Sequence, residues 1–126
     1  MANKKWTFAG FEDLEEKWEK GLFDCDDIAD ISDPLVLDWC ERLNDWTSKV
    51  ALCFNRFTSA VTLDRISQAP LPELRRLVCY HQNTSIETLE RLLEDGDRET
   101  RETAGEYLEK KQRTYRNHRK SRPVRI

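Results

Sequence analysis

Residues equipped for catalysis are scarce in this sequence. Its two histidines are His81 and His118, and a nucleophile and a base stand close together at Cys79-Tyr80-His81. Residues two apart on a helix project in different directions, so this trio offers no local thiol–imidazole pair. His81 is expected to cap a helix end or to lie at the surface. No glycine-rich phosphate loop, His-x-x-x-His or Gly-x-Ser-x-Gly pattern occurs, and those chemistries depend on such spacings. Cys25, Cys40, Cys53 and Cys79 include no Cys-x-x-Cys pair, which suits neither a zinc site nor a small disulfide framework. Three of them fall inside apolar helical patterns, where a free thiol packs as a small hydrophobe. The expectation is no enzyme, no metal and no cofactor, in a reducing, cytoplasmic setting.

Charge is the stronger chemical signal. Residues 12–45 hold thirteen Asp or Glu against Lys17, Lys20 and Arg42. Within that stretch Asp24, Asp26, Asp27, Asp30, Asp33 and Asp38 exceed what solubility requires, and aspartate favours loops and caps over helix interiors. No Asp-x-Asp-x-Asp-Gly calcium loop is present. Such a surface attracts a basic protein and repels nucleic acid, and Trp39 beside the acids is a candidate interface anchor. The opposite end is basic: residues 110–126 carry Lys110, Lys111, Arg113, Arg116, Arg119 and three further cations with no acid. Tyr115 and His118 interleave them, a composition suited to phosphates with some base stacking. Lys49, Arg75 and Arg101, evenly spaced, form a third candidate, a column that would either contact phosphates or pair with acids of adjoining units such as Glu73 and Asp97.

The elements that must position these groups read as helices. The chain of 126 residues has four Gly and four Pro, too few for extensive irregular or all-β structure, and its length is one domain's worth. No run of about 18 apolar residues appears, so neither a membrane span nor a signal peptide is expected. Phe11, Leu14 and Trp18 place a first helix over residues 11–20, with Gly21 as its stop. Residues 22–32 suit a short helix or a packed loop equally. Ser32-Asp33-Pro34 starts the next helix, since Ser or Asp caps free N–H groups and Pro is tolerated in a first turn. Asp95-Gly96-Asp97 is a turn between helices, and the last helix runs from about Thr100 to about His118.

Residues 48–108 carry an internal repeat. Leu52-Cys53-Phe54-Asn55-Arg56-Phe57-Thr58-Ser59 lies in register with Val78-Cys79-Tyr80-His81-Gln82-Asn83-Thr84-Ser85, and Leu63, Arg65 and Ile66 continue it over Leu89, Arg91 and Leu92. A fixed period of this length marks stacked helical units, each too small to bury its own apolar face. The phrase Asn83-Thr84-Ser85, Leu89, Leu92-Leu93, Asp95, Asp97, Arg101 and Ala104 resembles the variant leucine-rich repeat, and is similar to HEAT-like repeats generally, over residues 45–108. That resemblance implies a right-handed stack of short helices with a concave binding surface. Some variant leucine-rich-repeat proteins carry a cysteine-rich iron–sulfur segment, a clustering absent here.

The expected protein is a single all-α domain, a short right-handed HEAT-like α-solenoid of about six or seven helices. Residues 1–47 would form acidic amino-terminal helices, 48–108 the repeats, and 109–126 a basic tail, part helix and part disordered. The expected function is non-enzymatic binding of a macromolecule. Small size, acidic surface and aromatic anchors favour an inhibitor or immunity protein, bacterial or phage-encoded, that blocks a basic nuclease-like partner. The alternative is a nucleic-acid-binding adaptor using the basic column and tail.

Overall fold

The computed structural model describes residues 6–120, apart from the side chains of 118–120. Among the described residues every regular element is helical, in eight helices rather than the six or seven expected: α1 (Phe11–Glu19), α2 (Cys25–Ala29), α3 (Pro34–Glu41), α4 (Trp46–Phe54), α5 (Ala60–Ile66), α6 (Pro72–Tyr80), α7 (Ile86–Leu92) and α8 (Arg98–Lys120). The additional element is α2, which the sequence leaves open between helix and loop. It has one stable turn because Asp24 and Asp27 cap each other's backbone N–H groups. The part of the tail at 121–126 lies outside the described residues.

Local signals set most helix ends. Gly21, at φ 72°, takes the left-handed conformation that follows α1. Asp33, Asp45, Ser59 and Ser85 each cap a helix by accepting a backbone N–H. At α6 the capping side chain is missing, and Pro72 stands in the first turn where its absent N–H costs nothing.

Helix starts follow one spacing. Pro34, Ala60 and Ile86 begin α3, α5 and α7, while Trp46, Pro72 and Arg98 begin α4, α6 and α8, at intervals of 26 residues in both series. The periodicity thus reaches upstream of residue 48 to include α3. Core positions follow it: Leu37, Leu63 and Leu89 are buried in the first series, as are Leu52, Val78 and Ala104 in the second. Helix α4 packs on α2, α3 and α6, and α8 packs on α6 and α7.

Polar groups repeat along with the apolar ones. Thr58 Oγ1 donates to the Leu52 carbonyl, and Thr84 Oγ1 donates to that of Val78. Asp38 accepts from Thr62 Oγ1 at 2.9 Å and pairs with Arg65; Asp64 accepts from Thr88 Oγ1 at 2.6 Å and pairs with Arg91 at 2.7 Å. These bonds tie each short helix to the one a period later. At the amino-terminal end Trp6, Phe8 and Trp18 surround the buried Phe23, with ring centroids 5.1, 5.1 and 6.2 Å away. That cluster covers apolar surface that would otherwise end the core in water.

Candidate functional site

Local geometry uses several of the acidic residues. Asp24 and Asp27 form the α2 capping box, and Asp33 accepts from the Leu35 N–H at 3.0 Å. Asp38 is half-buried against α5. Asp26 and Asp30 stand exposed, and Asp24 and Asp33 remain exposed while capping. Trp39 is half-buried against the core rather than projecting freely. The exposed apolar side chains beside the acids are Leu22 and Leu35, 60% and 59% accessible, which the sequence did not single out. Exposed apolar side chains near charged ones in the chain are a common composition for an interface.

The basic column is turned inward. Lys49 Nζ donates to the carbonyls of Glu41 and Leu43, Arg75 to those of Ala69 and Pro70, and Arg101 to that of Asp95. In all three units the cation satisfies carbonyls of the connection that follows the preceding helix, joined for Lys49 by that of Glu41, the last residue of α3. Arg75 also makes a two-point contact with Asp95, at 2.7 and 3.0 Å, rather than with Glu73 or Asp97. The guanidinium holds the Asp95 carboxyl below its ordinary range, and Asp95 raises Arg75 in return.

The tail cations lie along α8. Lys110 pairs with Glu106 and Arg113 with Glu109, one turn back. Arg116 is exposed, and the Arg119 side chain lies outside the described residues. Lys111 differs from its neighbours: it crosses to the α6–α7 connection and donates to the carbonyls of Gln82 (3.0 Å) and Thr84. Burial lowers its pKa, and it has no carboxylate partner among the described residues.

Between α8 and the end of α6 lies an apolar groove of about 610 Å³, walled by Tyr80, Tyr107 and Tyr115 with Leu89 and Lys111 at its sides. A second hollow of about 530 Å³ adjoins it, with Phe54 and Arg56 on its far wall, and the two share Tyr80, His81 and Gln82. Tyr80 meets Tyr107 edge to face at 4.9 Å, and Lys110 sits 4.7 Å from the Tyr107 centroid. Phe54 and Tyr80 occupy equivalent repeat positions and are 75% and 54% exposed. From the sequence both read as members of an apolar helical face.

His81 belongs to the scaffold. Its Nδ1 accepts from the Asn83 N–H at 3.0 Å, which leaves Nε2–H to donate to the Asn55 carbonyl at 2.7 Å. Both ring nitrogens are therefore engaged. The thiols of Cys40, Cys53 and Cys79 are buried and pushed up to about 12, 12 and 11 by desolvation, far from a reactive thiolate. No cluster of His, Cys, Asp or Glu able to hold a metal ion occurs among the described residues, and no described helix is long and apolar enough to cross a membrane. Compared with protein-family models, curated proteins and solved structures, the chain matches none of them.

Proposed function

We propose that the protein is a non-enzymatic binding scaffold, a short stack of HEAT-like or variant-leucine-rich-repeat helical units, whose acidic end captures a basic protein. The carrying observation is the surface around α2 and the start of α3, where Leu22 and Leu35 are exposed among Asp24, Asp26, Asp30 and Asp33. Accepting an N–H occupies only a lone pair of the side chain, so capping and attraction coexist on the same residues. The field of four carboxylates speeds encounter with a positive partner, and apolar contact at the two leucines slows its release. A small acidic inhibitor or immunity protein acting on a basic, nuclease-like protein fits that chemistry.

Asp24→Asn, Asp26→Asn, Asp30→Asn and Asp33→Asn combined test the reading without removing the caps, because asparagine caps helices as well as aspartate does. Proteins retained by wild type and by this variant would be compared by mass spectrometry after crosslinking at low salt. The expected result is a basic protein that associates about tenfold more slowly with the variant. Identical partners captured at identical rates would refute the acidic-face assignment.

A further inference from the structure

Independently of the acidic end, we infer that the two adjacent hollows between Phe54 and Tyr115, which share Tyr80, bind a single strand of nucleic acid, stacking unpaired bases on their aromatic rings. Three features converge on that occupant. First, the two hollows share Tyr80, His81 and Gln82 in their linings, so they lie side by side, an arrangement that fits successive nucleotides of one extended polymer. Second, Phe54, Tyr80 and Tyr115 in those linings are all more than half exposed. A core residue would be covered, whereas a stacking platform needs a free ring for each base it receives.

Third, no carboxylate lines either hollow, while Arg56, Lys110 and Lys111 do. Lys111 brings a charge that the fold leaves uncompensated: its ammonium meets two carbonyl oxygens and no carboxylate. Exposed Arg116 adds positive charge further along α8, where Lys110 and Arg113 are paired with Glu106 and Glu109. Cations that flank rings in this way neutralise phosphates while the bases stack. A duplex presents its bases paired and stacked, so it cannot use the rings. An acidic peptide would satisfy the cations and leave the row of aromatics without a role.

The test is fluorescence anisotropy of the full chain with labelled oligothymidylate and oligouridylate of about 12 nucleotides. A duplex of the same length and a poly-glutamate peptide serve as controls. Micromolar binding of the single strands is expected, weakening as salt rises from about 50 to 200 mM and exceeding that of the duplex. Tyr115→Ala, on the exposed face of α8, should weaken it about tenfold with unchanged circular dichroism, and Tyr80→Ala should do likewise. Tyr80→Phe should retain binding, since stacking does not need the hydroxyl. The acidic-end asparagine variant should bind the oligonucleotides at least as well as wild type, which separates the two sites. Absence of binding at low salt would overturn the assignment. So would equal affinity of the tyrosine-to-alanine variants, or capture of poly-glutamate in preference to both oligonucleotides.

Discussion

Asn55 holds three neighbours through one small, uncharged side chain. Its amide donates to the carbonyls of Ile28 and Ile31 at 2.9 and 2.8 Å, and its Oδ1 accepts from the Phe57 N–H at 2.8 Å. It is buried, so none of these groups recovers a water when the amide is removed. Asn55→Ala should therefore lower unfolding stability by about 3 kcal/mol in urea titration. Asn55→Asp, which turns a carboxylate toward two carbonyls, should cost more than the alanine variant.

The carboxylates add a pH dependence. Hydrogen bonding from Thr88, with a further contribution from Arg91, lowers the pKa of Asp64; Arg75 lowers that of Asp95. Both groups hold their protons less tightly in the folded chain than in the unfolded one. Their stabilisation is complete above the ordinary aspartate value and disappears as pH falls through the lowered folded values. The urea midpoint should stay level from pH 7 to about 5 and decline below about 4. Asp64→Asn should have a lower midpoint at neutral pH and a shallower decline on acidification.

Among the elements, α8 shows how a repeat can end. Leu108-Glu109-Lys110-Lys111 stand where the preceding unit has Gln82-Asn83-Thr84-Ser85. Good helix formers replace the residues that break and re-cap the chain, and the helix runs on. Gly105 weakens it without a compensating turn. A β-carbon there would touch only Leu93 Cδ2, at an ordinary 3.6 Å. Gly105→Ala should raise stability by about 0.5–1 kcal/mol, measured by thermal and urea unfolding.

The same elements explain what the sequence could show. Long periodic helices and the Ser and Asp caps were legible because their signals lie within one turn. Helix α2, five residues long, is too short for periodicity to register. Helix α3 was separable from the repeat because Asp33-Pro34 replaces Ser59-Ala60, although Leu37-Asp38 does match Leu63-Asp64. The groove was hidden for a geometric reason. In Leu52-Cys53-Phe54 and Val78-Cys79-Tyr80 three apolar residues follow one another, and a helix spreads consecutive positions too widely for all to face inward. Composition alone does not reveal that the aromatic member is the one left outside. Nor does it reveal that Lys49, Arg75 and Arg101 would point at carbonyls.

At the scale of the whole molecule, the same polar bonds recur 26 residues apart. Removing residues 60–85 and joining Ser59 to Ile86 would bring Asp38 into the position that Asp64 holds toward Thr88 and Arg91. That shortened chain should remain helical by circular dichroism and unfold cooperatively, at a lower urea concentration than the full chain because less apolar surface is buried. An excision two residues shorter shifts every cap and core position. It should give a broad, poorly cooperative transition.

The buried cysteines turn this architecture into a set of clocks. Cys40, Cys53 and Cys79 lie in α3, α4 and α6 and are buried in the core cluster. With their thiols pushed up to about 12, 12 and 11, none reacts at neutral pH until its surroundings open and restore an ordinary thiol. Half-buried Cys25 should be alkylated first. If the units release one after another, mass spectrometry of a timed alkylation will resolve three separate rates for the others; if the stack opens as one body, the three will share a single rate. The chain would thus record, in the order its sulfurs are labelled, where it first lets go.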